Sequence, residues 1–493
     1  MAIGRPALRE RSGRAASTSA RWIAVVVLAL IAFTLVRTVI EGGAFGHDES
    51  VYAVKARSWV ADTPATGWGL HRAPLLSVLI APIVAFTESE VALRSVGVGL
   101  ALFALVTLYL LTRRLEDGWA GLLAIGVVGA SLTFQRRGSE LLTDAGATGL
   151  LLAIAILVLA AIRDPEGSRR RALWIGPLAA AAFYMRYPSA LAVLAMAIAF
   201  AVVAPHVLVR LRRELLATAG MASALLLPHL IWATAVTGAP WGVVFIASDA
   251  GNRAYFGEGL ADYAAMFPVE LAGPAGAVLM TIGVVWSIWA LWTGLRDRTL
   301  DARTAGFVIG VVAIIVLPLG FVVHGEARYV LFPAWMLVAL GAMAVVRIAH
   351  SIGGWPRLLA LALAVALWIP VFVVTANRAD HNAEARAAGL EVLVEASEIL
   401  ETEGAGSCGV LTGYLPQVTW YSRCYSRLFR PNRSHLGFFA LPGDNHFVLL
   451  FEEGRRQPTP AQLPTYLGLG TAQVVPSEIG PLGDATIVTV NQG

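Results

Sequence analysis

Residues 22–52 read WIAVVVLALIAFTLVRTVIEGGAFGHDESVY, an apolar run followed by a glycine-containing turn and an acidic pair. The run Trp22–Ile40 approaches the roughly 20 apolar residues that an α-helix needs to cross a bilayer. Asp48 and Glu49 come soon after it, and ionisable groups at membrane depth are costly enough that a function is their default interpretation. The stretch therefore predicts a first membrane helix with a functional acidic pair beyond its end.

The composition of the whole chain is typical of a membrane protein. Of its 493 residues, 57% are hydrophobic and 14% are charged, whereas soluble domains carry about 25% charged residues. These values exclude an ordinary soluble enzyme and a disordered chain. The net charge of +4 comes from arginines clustered between apolar runs, a pattern that indicates membrane topology. No nucleic-acid partner is expected, because that would require a basic face on a soluble domain.

Apolar segments recur through the first 376 residues, and together they predict eleven spans. The ten candidates after Trp22–Ile40 begin near Val91, Trp119, Ala145, Ala172, Ser189, Leu215, Leu271, Ala305, Val330 and Leu358. The predicted fold is an all-α polytopic membrane protein, since an open structure in lipid satisfies its backbone only as helices. Ala172–Met185 is short enough to be half of a broken helix. Leu75–Phe86 is also too short to span and is expected at the surface or as a re-entrant segment.

The arginines predict the orientation. With the N-terminus inside, the inner tail and loops hold nearly twice as many basic residues as the outer segments of the membrane region, as the positive-inside rule requires. No small-residue cleavage site follows Trp22–Ile40, so the first helix is expected to stay uncleaved. We predict a multi-pass plasma-membrane protein with a basic cytoplasmic tail (residues 1–21), a multi-spanning domain with catalytic outer loops (22–376) and a soluble extracytoplasmic domain (377–493).

The last 117 residues predict a small α/β domain. Ala383–Glu403 has helical periodicity, and Cys408–Leu411, Phe447–Phe451 and Ala485–Val490 are typical of strands. Outside the cell, Cys408 and Cys424 could form a disulfide. The alternative is two unpaired small apolar side chains, because spacing alone does not prove a bond.

The polar residues of the outer segments are the candidate site. The first loop offers His47, Asp48, Glu49, Lys55, His71 and Arg72; the second offers Arg136, Arg137 and Asp144; a late loop offers His324, Glu326 and Arg328. Arg186, between two apolar halves, is expected at the outer surface or lining a cavity.

These residues resemble the GT-C glycosyltransferases, integral-membrane enzymes that use polyprenyl-phosphate sugars. The acidic pair after the first helix is similar to the hallmark of that superfamily. His71-Arg72-Ala73-Pro74-Leu75, Glu90 with Arg94, and Arg137-Gly138 with Asp144 are similar to the protein O-mannosyltransferase and aminoarabinose-transferase branch. The segment 324–329, HGEARY, resembles the lipid-linked mannosyltransferase branch. Ala73-Pro74 departs from the two prolines often found in the O-mannosyl branch.

The resemblance implies an inverting transfer by direct displacement at the outer membrane face. The donor would be a polyprenyl-phosphate hexose or pentose, and the acceptor an envelope glycan, lipid or protein. Transfer to a hydroxyl needs a base, for which Asp48 is the candidate, with Glu49 as an orienting or second acidic group. Cations must stabilise the departing phosphate. The candidates for that role are Lys55, Arg72, Arg136, Arg137 and Arg328, while Asp144, His71, His324 and Glu326 complete the predicted substrate contacts.

Each assignment has a structural alternative. Asp48 and Glu49 could cap a helix, Asp144 could cap the fourth span, Arg136 and Arg137 could anchor a helix end at headgroups, and Glu90 with Arg94 could be an intrahelical pair. The residues establish no cofactor; His47, Asp48, Glu49 and Asp144 could hold a divalent ion, which some branches of the superfamily use and others do not. At the level of function, the alternatives are a transporter or flippase of a lipid-linked sugar and a non-catalytic envelope scaffold.

Overall fold

The computed structural model describes residues 6–66, 69–70, 72–249, 255–266, 269–294, 296–297, 299–322, 325–352, 354–429, 442–454, 457–477 and 480–490. The chain divides into two compact units. The helical unit comprises Met1–Val36, Gly97–Ser139 and Thr143–Ala379, and the mixed unit comprises Arg37–Val96, Glu140–Leu142 and Asp380–Gly493. The loop that follows the first helix therefore shares one compact unit with the C-terminal residues.

Helices account for most of the described chain. In order they are α1 Pro6–Glu41, α2 His47–Val60, α3 Leu75–Val84, α4 Glu90–Leu115, α5 Gly118–Gly129, α6 Leu132–Gly138, α7 Asp144–Arg163, α8 Arg169–Ala172, α9 Ile175–Met185, α10 Ser189–Val203, α11 Pro205–Arg210, α12 Arg212–Thr237, α13 Gly242–Asp249, α14 Glu258–Met266, α15 Gly273–Gly294, α16 Leu300–Val322, α17 Leu331–Ile352, α18 Gly354–Gly404, α19 Leu415–Ser422 and α20 Leu463–Leu467. A 3-10 turn covers Ala327–Tyr329.

Seven helices in the described residues are long and apolar enough to cross a membrane. They are Ser19–Glu41, Glu90–Leu115, Asp144–Arg163, Arg212–Thr237, Gly273–Gly294, Leu300–Phe321 and Leu331–Ile352. The predicted span near Trp119 is instead the pair α5 and α6, bent by 76°. Ser131 produces the break: its backbone is extended, and its side chain accepts a hydrogen bond from the Phe134 N–H at the start of α6.

The remaining candidates for spans are shorter or extend further. The segment near Ala172 is divided between the short helices α8 and α9, and the segment near Ser189 is the 15-residue helix α10. Leu75–Phe86, predicted too short to span, contains the 10-residue helix α3. The eleventh candidate lies in α18, a 51-residue helix that continues to Gly404. Side chains 353–365 of that segment lie outside the described residues.

Small residues allow the closest helix packing in the helical unit. A Cβ atom at Gly341 of α17 would lie 1.9 Å from the backbone oxygen of Leu279 in α15, and one at Gly283 would lie 2.4 Å from the oxygen of Leu337. The two backbones therefore cross where neither has a side chain. Such crossings are common in membranes, where van der Waals packing rather than water exclusion drives helix association.

The described part of the C-terminal region contains one five-stranded mixed sheet. Its strands are β1 Cys408–Thr412, β2 Tyr425–Arg427, β3 Asn445–Phe451, β4 Gly470–Val475 and β5 Ala485–Val490, in the order β2-β1-β3-β5-β4. β1 pairs in parallel with β2 and β3, and β5 pairs antiparallel with β3 and β4. Val392, Leu393, Ala396 and Leu400 from the end of α18 pack in the core against this sheet. The small α/β domain is thus present, with two strands, β2 and β4, beyond the three predicted.

The two cysteines are joined. The Sγ atoms of Cys408 and Cys424 are 2.02 Å apart, and their Cα atoms are 4.8 Å apart. Cys408 begins β1 and Cys424 precedes the adjacent strand β2, so the bond connects the sheet to the segment that follows α19.

Candidate active site

The acidic pair lies in the first turn of α2. Gly46 is the N-cap, and the Glu49 carboxylate accepts a hydrogen bond from the Gly46 N–H at 2.9 Å, which is the half of a capping box that a glycine N-cap allows. Carboxylates in the first turn are also favoured by the helix dipole. The two side chains lie in different environments, because the Asp48 side chain is 24% exposed and that of Glu49 only 3%.

Glu49 is fully engaged by the protein. It accepts hydrogen bonds from Arg94 Nε at 2.8 Å, Arg94 Nη2 at 3.0 Å and the Leu141 N–H at 2.9 Å, in addition to that from Gly46. Burial alone would raise the pKa of Glu49, but the Arg94 guanidinium and the hydrogen bonds hold it below its ordinary value. Of the two roles predicted for Glu49, this geometry favours orientation.

Arg94 fixes the turn that precedes α2. Its side chain is buried and donates to the backbone oxygens of Gly43 at 2.6 Å and Ala44 at 3.1 Å. The intrahelical contact with Glu90 is longer, at 3.6 Å. The sequence spacing suggests an intrahelical pair of Glu90 with Arg94, but the closer partners of Arg94 are in the first loop.

Asp48 pairs with Arg72. The Arg72 guanidinium donates to the Asp48 carboxylate, and both side chains are about one-quarter exposed. A carboxylate and a guanidinium thus lie side by side at the N-terminal end of α2, and both are partly exposed.

Lys55 lies about two helical turns after Asp48 in α2. It holds the loop that carries Arg72. Its Nζ donates to the backbone oxygens of Gly69 at 2.9 Å and Arg72 at 2.8 Å. Burial lowers the pKa of Lys55 to about 8. His71, predicted as a substrate contact in this loop, lies outside the described residues, as does His324 of the late loop.

A second polar cluster lies in the helical unit. Asp144 begins α7 and accepts a hydrogen bond from Arg186 Nη1 at 2.6 Å, and the same nitrogen lies 2.7 Å from the backbone oxygen of Arg328. The Arg186 guanidinium also lies over the Tyr329 ring at 5.3 Å. Sequence reasoning left Arg186 out of the site, although its expected position at a surface or cavity pointed to it.

A cavity in the helical unit adjoins this cluster. The charged residues in its wall are Arg137, Asp144 and Arg328, and the apolar part includes Phe134 and Trp335. Arg328 is paired with Glu326. Arg136, by contrast, is exposed on α6. Of the two adjacent arginines, therefore, Arg137 lines the cavity and Arg136 faces outward.

The charges predicted for the opposite side of the membrane also meet one another. Arg347 contacts Glu116 at 2.5 Å and Asp301 at 2.8 Å. All three come from predicted inner loops, whereas Asp144, Arg186 and Arg328 come from predicted outer segments. The grouping supports the predicted alternation of loops; which side faces the cytoplasm stays a prediction.

The carboxylates considered as metal ligands all have arginine partners. Asp48 pairs with Arg72, Glu49 with Arg94, and Asp144 with Arg186. Throughout the described ranges, no three or more His, Cys, Asp or Glu side chains gather as a metal-binding group. A guanidinium beside a carboxylate opposes a divalent ion by charge, so these residues give a divalent ion no ready site.

The contacts of α19 with residues 45 and 57 could not be predicted from the sequence. Arg57 is completely buried and donates to the backbone oxygens of Thr419 at 2.7 Å and Trp420 at 2.8 Å. The Tyr421 hydroxyl accepts a hydrogen bond from the Phe45 N–H at 2.7 Å. No local sequence pattern connects residues more than 350 positions apart.

Comparison with known proteins gives both a partial family match and a fold. A family model described as dolichyl-phosphate-mannose-protein mannosyltransferase matches residues 71–232, about a third of the chain. A comparison of the chain with curated proteins found no match. The crystal structure of ArnT from Cupriavidus metallidurans bound to undecaprenyl phosphate has a TM-score of 0.65 at 12% identity, over 96% of this chain and 98% of that one. The chain has the GT-C fold.

Two further structures share the GT-C fold with lower coverage. The Archaeoglobus fulgidus oligosaccharyltransferase, in complex with Zn and sulfate, has a TM-score of 0.58 at 13% identity, over 81% of this chain and 62% of that one. AglB from the same organism, with an inhibitory peptide and a dolichol phosphate, has a TM-score of 0.57 at 14% identity, over 82% and 64%. The chain thus spans about three-fifths of the oligosaccharyltransferase. The resemblance to the GT-C glycosyltransferases is confirmed.

Proposed function

We propose that this protein is an inverting glycosyltransferase. It moves a monosaccharide from a polyprenyl-phosphate donor to an envelope glycan, lipid or protein, at the outer face of the plasma membrane. The GT-C fold and the undecaprenyl phosphate and dolichol phosphate of the similar structures support a lipid-linked donor. The N-terminus is cytoplasmic and the C-terminal domain extracytoplasmic, which the distribution of arginines supports.

The observation that carries the proposal is the contrast between Asp48 and Glu49. Glu49 is buried and occupied by four donors, whereas Asp48 is accessible and fixed beside Arg72. A pair that merely capped α2 would need only the Gly46–Glu49 contact. Asp48, which is partly exposed and paired with Arg72, is the carboxylate that an acceptor alcohol could reach, and transfer to an alcohol requires such a base.

In the proposed reaction, the acceptor hydroxyl oxygen attacks the anomeric carbon while the bond from that carbon to the phosphate oxygen breaks. The bonding electrons leave with the lipid phosphate, and Asp48 takes the proton of the hydroxyl. Attack from the face opposite the phosphate inverts the configuration.

Arginines supply the charge that the departing phosphate needs. Arg72 is the candidate in the mixed unit, and Arg137 and Arg328 are the candidates in the helical unit. Arginine suits this role because its planar guanidinium binds phosphate oxygens through two parallel hydrogen bonds. Asp144, with Arg186 beside it, is proposed to hold sugar or acceptor hydroxyls. Lys55 contributes by holding the Arg72 loop.

The test is sugar transfer by purified protein in detergent, from a polyprenyl-phosphate sugar to acceptor extracted from the envelope. Asp48→Asn keeps the shape of the side chain and removes the base, so turnover is expected to fall by roughly 100-fold or more. Asp62→Asn, the same change at an exposed position just beyond α2, is the matched control and should retain wild-type turnover.

The outcomes also separate the rival functions. Undiminished transfer by well-folded Asp48→Asn protein would refute Asp48 as the base. A flippase would leave the donor lipid unconverted in detergent, where transport has no meaning. A scaffold would give no transfer and would tolerate Asp48→Asn in cells.

A further inference from the structure

Tyr421 lies at the C-terminal end of α19 and contacts the first outer loop through its hydroxyl. The oxygen accepts a hydrogen bond from the Phe45 N–H at 2.7 Å and donates to the Glu90 carboxylate. Burial and the adjacent Glu90 carboxylate raise the pKa of Tyr421, so the hydroxyl keeps the proton that it donates. One side chain of the C-terminal domain thus connects the turn before α2 with the start of α4.

Neighbouring contacts hold α19 in this position. The rings of Trp420 and Phe45 are 5.5 Å apart, and the Arg57 guanidinium lies 4.5 Å from the Trp420 ring. Arg57 also bonds the Thr419 and Trp420 carbonyls, so it occupies the end of α19, where helix carbonyls lack partners within the helix. Cys424, immediately beyond, is tied to β1 by the disulfide.

The turn that Tyr421 contacts determines the position of the proposed base. Residues 43–46 lead directly into α2, and Asp48 lies two residues beyond Gly46. Arg94 bonds the carbonyls of Gly43 and Ala44, Glu49 bonds the Gly46 N–H, and Tyr421 bonds the N–H between them, that of Phe45. Every residue of the turn therefore has a backbone hydrogen bond to a side chain, and one of these comes from the C-terminal domain.

We propose that Tyr421 is a positioning residue for Asp48, so that the C-terminal domain is a working part of the active site rather than a cover or an acceptor-binding module. The inference rests on the proposed function. It assigns Tyr421 no contact with substrate: the residue acts by fixing the direction in which the first turn of α2 presents the Asp48 carboxylate. Displacements of about 1 Å at a reacting group can cost roughly 100-fold in rate.

The test compares Tyr421→Phe with Tyr425→Phe. The second is a matched substitution in strand β2 of the C-terminal sheet, where the ring packs beside Arg427. Two measurements are made on full-length protein in detergent. The first is amide hydrogen exchange of peptides covering residues 43–52. The second is transfer kinetics. For Tyr421→Phe we expect faster exchange in these peptides alone, about tenfold lower kcat, and a donor KM within about twofold of wild type.

Three outcomes of the kinetic and exchange measurements would overturn the proposal. Unchanged kcat would overturn the proposal even if exchange accelerates, because the contact would then be structural only. Equal effects of the two Tyr→Phe variants, or an increase in donor KM without loss of kcat, would also overturn it. If the wild-type protein transfers no sugar, the proposed function fails and the catalytic inference with it, whereas faster exchange would still record the hydrogen bond.

A second pair of variants covers the case in which Tyr421→Phe does not fold. Glu90→Gln keeps an oxygen that accepts from the Tyr421 hydroxyl, and Glu90→Leu removes it. Glu90→Leu is expected to have about fivefold lower kcat than Glu90→Gln, with faster exchange at residues 43–52. Equal kcat values in this pair would contradict a role for Tyr421 in positioning.

Discussion

The substitution Glu49→Gln should destabilise the mixed unit without altering the exposed face of α2. Glu49 faces a buried guanidinium, and an amide cannot balance that charge. Breaking one partner of a buried ion pair costs about 3–5 kcal/mol because the other charge stays unpaired. The amide oxygen keeps some of the four hydrogen bonds, so we expect the lower value, about 3 kcal/mol.

This free energy translates into a measurable shift of the thermal midpoint. For a unit of 150–250 residues, 1 kcal/mol corresponds to roughly 2–4 °C, so the midpoint should fall by roughly 6–12 °C. The assay is thermal unfolding of purified protein in detergent at pH 7, with loss of the monodisperse peak on size exclusion as a second readout. Asp48→Asn is the adjacent isosteric control: its pair with Arg72 is partly exposed and is worth about 0–1 kcal/mol.

The acidic range provides an additional check. The pKa of Glu49 is lower in the folded chain than in the unfolded chain, so its contribution is fully present above the unfolded value of about 4.3 and is lost as the pH falls through the folded value. The difference in midpoint between wild type and Glu49→Gln should therefore shrink below about pH 4. In addition, the double variant Glu49→Gln with Arg94→Gln should be no less stable than Arg94→Gln alone. The single and the double variant each remove the same ion pair, that between Glu49 and Arg94. A Glu49→Gln midpoint within about 2 °C of wild type would refute this account of the buried pair.

Three further predictions concern the surroundings of the site. Burial lowers the pKa of Lys55 from 10.5 to about 8, so the folded chain binds fewer protons than the unfolded chain between these values. The thermal midpoint of wild type minus that of Lys55→Met should therefore increase between about pH 7.5 and pH 9.5. A difference that stays constant with pH would contradict the burial. Arg137→Ala should raise the donor KM about tenfold, with a smaller effect of Arg136→Ala; equal KM values would argue against the cavity as the phosphate site. Gly43→Ala should lower the thermal midpoint, since φ is +49° and the new Cβ would lie 2.3 Å from that of Ala387; Ala387→Gly should partly restore it, and no restoration would rule out this clash.

Sequence reasoning could reach what depends on local periodicity and on charge. The first helix, the strands from Cys408, Phe447 and Ala485, and the helix before them follow from apolar patterns that repeat within each segment. It could not reach β2 and β4, because Tyr425–Arg427 is only three residues long and Gly470–Val475 shows no strict alternation. These strands exist through pairing with β1 and β5.

The candidate site divides in the same way. Asp48, Arg72 and Asp144 could be singled out because charged residues near apolar runs are conspicuous. Three features depend on which loops meet, and no spacing along the chain encodes them. They are the burial of Glu49, the hydrogen bonds of Lys55 to backbone carbonyls and the pairing of Arg186 with Asp144. The pairs involving α19 are the extreme case, since composition gives Trp420 and Tyr421 no functional signature.

The contact between α2 and α19 has a consequence for biosynthesis. Arg57 and Trp420 are separated by 363 residues, and at roughly 5–20 residues per second about 20–70 s pass between the emergence of one and the other. Throughout that interval Arg57 has none of its carbonyl partners in α19, and the Phe45 N–H lacks the Tyr421 hydroxyl. A chain that stops before residue 419 never acquires them. Completion of the polypeptide is thereby coupled to assembly of the turn that precedes Asp48, so a prematurely terminated chain would be inserted in the membrane yet inactive.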